Sequence, residues 1–394
     1  MGKTGRVWLR HKALYGVRQS AYGWDGKLNK VLTGMSFRRS AIDACLYTWN
    51  GPLDETIRLT VHVDDLCCVS NSKQAYTCFR NKLQEHFEIK SPSTSNGAVY
   101  LGVAIDRLAD GSIQLSQGQY CRDMLARYNM TGCKPVNTPW QPGVRVGKEH
   151  CPKTEEERRD MERVPYLEAI GSLLWLAGGT RPDISYSVAH LARYSTNPGR
   201  AHWRQVQYLM RYLEGTQDLG IIYGRDAGGV PFVPLCTASD ASWGDGPDRR
   251  SSCTGWVVFS AGGPISWSST RMKSIALSTT EAEYHALCEA GRETTFVKRL
   301  LEHDCGYKDL SVKAHNDLAP NTFNGTKTLP VTILEDNTGA IALAGKRGSH
   351  KRSTHIDLTF HWTQQKEAHG PLRPVYSATA KHTAALRTAR VPRE

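Results

Sequence analysis

Three acidic residues in the last third of the chain have the types and spacing for shared chemistry: Asp240, Glu283 and Asp336. Asp240 closes a short β-rich run, Glu283 opens a long amphipathic stretch, and Asp336 follows another β-rich run, so they sit on three separate elements. In a sheet with helices packed on it, the carboxyl ends of neighbouring strands and an adjoining helix end converge, as ligand sites in α/β sheets commonly do. Carboxylates gathered there suit magnesium. Hard divalent ions prefer oxygen ligands and keep several waters, so a few Asp and Glu hold the two ions that clamp a phosphodiester. A second pair, Asp64-Asp65, stands between the apolar runs Leu59–Val63 and Leu66–Val69, where it would occupy the turn of a hairpin. Taken singly, each acid would pass as a cap, a turn or a surface residue; it is the constellation that points to chemistry.

The elements that must position these residues follow from periodicity and punctuation. Ala75, Cys78, Phe79, Leu83 and Phe87 recur at helical spacing and predict a helix over Lys73–Phe87. Val99–Ile105 and Ser112–Leu115 predict a second hairpin around Ala109-Asp110-Gly111, and Gln117–Tyr128 returns to helix. The Pro-, Gly- and charge-rich stretch Asn137–Glu162 reads as a linker, followed by helices at Pro165–Ala177, Ile184–Tyr194 and Ala201–Leu213. Strands at Leu235–Ser239, Thr254–Ser260 and Ile265–Ser268 should pair as a meander. Thr279–Leu301 is a strong amphipathic helix with Thr279 or Thr280 as N-cap. Val331–Leu334 forms a fourth strand leading into a helix through Leu343, and polar Asp309–Leu329 reads as a loop. This divides the chain into residues 1–135, a helical connection at 136–234, and a mixed α/β domain at 235–394.

Composition narrows the partners. Fifty Lys and Arg against 38 Asp and Glu give a formal charge of +12, which favours a polyanion such as nucleic acid. The 394 residues are 40% hydrophobic, without an uninterrupted apolar run of membrane-spanning length and without a secretory signal, so no membrane partner and a cytoplasmic or nuclear setting are expected. The eleven cysteines include no Cys-x-x-Cys pair and are expected to be reduced core residues.

The acids lie within a series of motifs. Ala238-Ser239-Asp240-Ala241-Ser242-Trp243-Gly244-Asp245, Gly263-Pro264-Ile265-Ser266-Trp267, Ser278-Thr279-Thr280-Glu281-Ala282-Glu283-Tyr284 and Glu335-Asp336-Asn337-Thr338-Gly339 closely resemble the ribonuclease H domain of copia-type retrotransposons. Ala13-Leu14-Tyr15-Gly16-Val17, His62-Val63-Asp64-Asp65, Tyr100-Leu101-Gly102-Val103, Ile170-Gly171-Ser172-Leu173-Leu174 and Thr180-Arg181-Pro182-Asp183 resemble the same elements' reverse transcriptase. The resemblance covers nearly the whole chain. It implies a partial polymerase palm and thumb, a helical connection and an RNase H-like mixed five-stranded sheet with flanking helices. It also implies two-metal hydrolysis of RNA in an RNA/DNA hybrid, with Asp240, Glu283 and Asp336 as ligands for Mg2+ or Mn2+. Glu281 competes with Glu283, which is preferred because Glu283-Tyr284-His285-Ala286-Leu287 fits the family pattern. Of His350, His355 and His361, the resemblance implies that one, with His355 taken first, assists proton transfer.

Three departures qualify these expectations. Ala385 stands where the family has its final carboxylate, His62 replaces the usual tyrosine before Val63-Asp64-Asp65, and Met272 replaces a glutamine. The strand carrying the first polymerase aspartate would precede Met1 in an intact element, and Asp25, Asp43 and Asp54 do not fit its role. Asp64 and Asp65 are therefore expected to be a polymerase remnant without autonomous DNA synthesis, and a nucleic-acid-binding relic is the alternative to a working nuclease. Other Pol or Gag products are the implied protein partners.

Overall fold

The computed structural model describes residues 17–90, 97–224, 235–244, 252–273, 275–307, 330–345 and 372–377. Contacts group the chain into two units, residues 1–93 with 299–307 and residues 94–298 with 308–394.

In the first unit, helix α1 (Arg18–Gly34) precedes an antiparallel sheet of β1 (Arg38–Arg39), β2 (Leu46–Asn50), β3 (Thr56–His62) and β4 (Asp65–Ser70), followed by α2 (Lys73–Gln84). Alternation along β3 sends Ile57 and Leu59 inward, where they meet Leu28 and Leu32 of α1 and Ala75, Phe79 and Leu83 of α2. The expected hairpin is present, with His62 opposite Asp65 and Val63-Asp64 at the turn. Helix α2 begins where the Ser72 side chain accepts the Ala75 amide, and ends three residues before the predicted Phe87. Phe87 still serves the core: its ring meets Trp24 edge-on at 5.2 Å. Cys78, predicted on the apolar face, is exposed.

The second unit contains two sheets. In the first, β5 (Gly97–Tyr100), β6 (Val103–Arg107), β7 (Ile113–Ser116) and β8 (Ile221–Tyr223) pair antiparallel in that order. The single strand predicted over Val99–Ile105 is in fact two, because Leu101 (φ 52°) and Gly102 (φ 76°) turn the chain back in the left-handed geometry of a two-residue hairpin.

Helices α3 (Gly118–Arg127), α4 (Glu155–Glu162), α5 (Tyr166–Gly179), α6 (Ser185–Ala192) and α7 (Arg200–Glu214) follow. Met124, Leu125, Leu173, Leu176, Val188 and Leu209 belong to one core among them. The stretch read as a linker is packed: Val146 is buried in this core, and α4 starts on a capping box in which Thr154 and Glu157 satisfy each other's backbone amides. Pro142 and Gly143 lie in a turn.

The second sheet holds the three acids. Strands β9 (Cys236–Ser242), β10 (Cys253–Ser260) and β11 (Gly263–Arg271) form the expected meander. After helix α8 (Thr279–His303), β12 (Val331–Glu335) adds parallel to β9; helix α9 (Thr338–Gly345) and β13 (Leu372–Tyr376), parallel to β12, complete the order β11-β10-β9-β12-β13. This is the mixed five-stranded sheet the sequence implied, with its fifth strand now located. The inner face of α8 carries Ala282, Ala286, Leu287, Ala290 and Val297, and Thr294 meets Thr237 of β9 at 2.7 Å. The cap of α8 is Ser278, not Thr279 or Thr280: its hydroxyl accepts the Glu281 amide at 3.2 Å.

Eleven cysteines are free, and Cys121, Cys253 and Cys288 are buried. Among the described residues no helix is long and apolar enough to cross a membrane.

Candidate metal centre

Parallel pairing of β9 and β12 sets Leu334 beside Ala238. One step further along both strands stand Glu335 and Ser239, and two steps further Asp336 and Asp240. Glu283 arrives from just past the first turn of α8. One carboxylate oxygen from each of Asp240, Glu283 and Asp336 lies within 4.8 Å of the others. The three acids picked out in the sequence are thus brought together by two strands and a helix.

Like charges at this distance repel, and burial removes the water that would screen them. Glu283 is 8% exposed, and its Oε2 is buried without a hydrogen-bond partner among the described residues. Burial first, then the neighbouring Glu335, Asp240 and Asp336 carboxylates, push its carboxyl far above the usual range, to about 9. An all-oxygen donor set with a buried, unsatisfied carboxylate oxygen fits a hard divalent cation, which would offset the repulsion and satisfy that atom.

Glu281 is occupied elsewhere. Its Oε2 accepts the Leu277 amide at 2.8 Å, so it serves the start of α8 while Glu283 faces the other two acids.

Glu335 was missed as a functional residue by the sequence reading. It is fully buried, with Oε2 accepting from Ser239 Oγ at 2.7 Å and Oε1 accepting from the Asn337 amide at 3.2 Å. Burial pushes its carboxyl upward against these two hydrogen bonds. The available signal was two consecutive acids at a strand end, of which alternation must turn one inward.

Asp64 and Asp65 are exposed at their hairpin turn, and among the described residues they belong to no group of three potential metal ligands. Asp25 pairs with Arg39 at 2.8 Å, and Asp43 accepts the Cys45 amide. His350, His355, His361 and Ala385 lie outside the described residues.

Comparison with known proteins bears on the whole chain. Residues 1–142 match the family described as "Reverse transcriptase (RNA-dependent DNA polymerase)". The chain is 31% identical over 392 residues to the retrovirus-related Pol polyprotein from transposon TNT 1-94 of Nicotiana tabacum, a match covering 100% of this chain and 28% of that protein. This chain belongs to the copia-type Pol polyproteins. A second relative, the Pol polyprotein from transposon RE1 of Arabidopsis thaliana, is 30% identical over 93% of this Pol chain and 23% of its own length. The chain therefore spans about a quarter of the length of these relatives. Among solved structures, LC11-RNase H1, isolated from compost, matches at 15% identity and a TM-score of 0.26, covering 40% of the Pol chain and 92% of its own. The sheet order described above, rather than that score, defines the RNase H-like part of this Pol segment, which also carries the reverse transcriptase features.

Proposed function

We propose that residues 235–394 of this Pol segment form a ribonuclease H domain that hydrolyses the RNA strand of an RNA/DNA hybrid, using Mg2+, with Mn2+ as a substitute. The observation that carries the reading is the gathering of Asp240, Glu283 and Asp336 on this sheet, with the Glu283 Oε2 buried and unsatisfied. Those three residues would hold the metal, which when bound activates a water and neutralises charge on the scissile phosphodiester. Asp240 and Asp336 hold their places through the β9–β12 pairing, and α8 brings Glu283 to them. Loading the site would require Glu283 to give up its proton, so affinity for the ion would rise with pH.

In the same reading, residues 1–135 are the polymerase part, with Asp64 and Asp65 as a remnant of its centre, and residues 136–234 are the connection. The net charge of +12 supplies salt-sensitive attraction for the phosphate backbone.

The test is cleavage of a labelled RNA/DNA hybrid by the full chain in Mg2+ and then Mn2+, with Asp336→Asn as control. Cleavage absent from the control is expected. Hybrid that is bound but never cut in either metal would overturn the nuclease reading in favour of a binding relic.

A further inference from the structure

Asp240 and Asp336 each have a chain neighbour that points into the domain, and these neighbours touch. Ser239 precedes Asp240 on β9, Glu335 precedes Asp336 on β12, and the Ser239 hydroxyl donates to Glu335 Oε2 at 2.7 Å. Both residues are fully buried. The other Glu335 oxygen accepts the Asn337 amide at 3.2 Å, and the Asn337 side chain in turn accepts the Ala340 amide of α9 at 3.0 Å. Glu335 is therefore tied on one side to the strand carrying Asp240 and on the other to the turn carrying Asp336. The β9–β12 register ends, as paired, at Leu334 and Ala238, so the Ser239–Glu335 contact continues the strand pairing through side chains up to the two acids.

We propose that Glu335 is a positioning residue of the metal centre, its bond to Ser239 fixing the separation of Asp240 and Asp336 on their neighbouring strands. Both of its carboxylate oxygens are already engaged by protein donors, so it acts through Ser239 and Asn337 and not on the ion. Partners that orient ligands in this way commonly change metal affinity by about 10- to 100-fold when removed. The inference rests on the metal-dependent reading above, and it makes Ser239 and Glu335 a single unit.

The experiment is calorimetric titration of the full chain with Mn2+ in the absence of nucleic acid, paired with thermal melts of the metal-free proteins. Ser239→Ala and Glu335→Gln are each expected to weaken Mn2+ binding by about 10-fold or more, and the double variant to be no weaker than the worse single one. The metal-free Glu335→Gln protein is expected to melt no lower than the parent, which separates positioning from support of the fold. Glu335→Gln binding Mn2+ as the parent does, while Asp336→Asn does not, would overturn the positioning role and leave the metal centre standing. A parent chain that binds no Mn2+, or binds it as well with Asp336→Asn, would remove the metal-dependent reading and this inference together.

Discussion

The Glu281 carboxylate accepts the Leu277 amide at 2.8 Å, and this backbone bond separates it in role from Glu283, two residues along the same helix. Glu281 completes the entry to α8 with the Ser278 hydroxyl; Glu283 is left with a buried oxygen that nothing among the described residues satisfies. The two glutamates should accordingly respond in opposite ways. Glu281→Gln is expected to lower stability by about 0.5–1 kcal/mol and leave hybrid cleavage nearly intact. Glu283→Gln is expected to reduce cleavage by about two orders of magnitude or more while raising the metal-free melting temperature, since it replaces a carboxyl that must take up a proton to sit buried among other acids. Melts and initial rates on both variants decide this, and the assignment fails with a cleavage-dead Glu281→Gln protein.

Arg181 is 2% exposed and lies beside Asp183 with contacts of 2.7–3.2 Å, while its remaining donors reach the Thr216 carbonyl and hydroxyl at 2.8 Å. The Tyr212 hydroxyl also donates to Asp183, at 2.8 Å. Removing one member leaves a buried charge without its counter-ion. Asp183→Ala should cost about 3–5 kcal/mol because it strands the Arg181 side chain, 3% exposed, and Arg181→Met less than that, because the Asp183 side chain left behind is 21% exposed and keeps the Tyr212 hydroxyl. Urea midpoints of the two variants check the order.

His202 is fully buried, stacked on Tyr194 at 4.2 Å, with Nδ1 accepting the Gly199 amide. Burial, and after it the nearby His150, pull its imidazole down to about 4 from the ordinary 6.5. The unfolded chain takes up this proton and the folded chain refuses it. Its contribution to stability is therefore complete above about pH 6.5 and lost as pH falls toward about 4, amounting to roughly 3 kcal/mol at most. His202→Gln should flatten the difference in unfolding free energy between pH 4 and 7. An unchanged pH profile in the variant would show that His202 does not govern it.

Gly102 sits at φ 76°, and a Cβ there would find only the Trp175 ring at 3.9 Å, an ordinary contact. The cost of Gly102→Ala is therefore backbone strain alone, about 1–2 kcal/mol. Gly102→Asn should recover part of it, since Asn visits this conformation more readily. Equal losses for Ala and Asn, read from thermal melts, would point to a steric cause instead.

The sequence made the candidate site unusually readable because its acids lie at element ends, where a local motif and a predicted boundary coincide. Asp240, Glu283 and Asp336 could be named before any strand order was known. Part of what stayed hidden depended on partners far along the chain, and part on local signals that were masked or passed over. The Leu101-Gly102 turn was concealed by apolar residues on both sides, which read as one strand. Val146 lies in a stretch rich in Pro, Gly and charge, so its burial could not be told from local composition. Ser278 was overlooked although Ser278-Thr279-Thr280-Glu281 has the spacing of a helix-entry box. Glu335 was read only as part of a motif, because its burial follows from the parallel partner that β9 provides.

That parallel partnership also sets an order in time. Ser239 and Glu335 are 96 residues apart in the chain, and a parallel pair cannot close by a tight turn. During synthesis the meander β9–β10–β11 and helix α8 emerge first, with Asp240 and Glu283 already made but nothing to hold them against Asp336. The three acids are thus brought together only once β12 has been made, and a chain stopped short of Val331 carries Asp240 and Glu283 without Asp336.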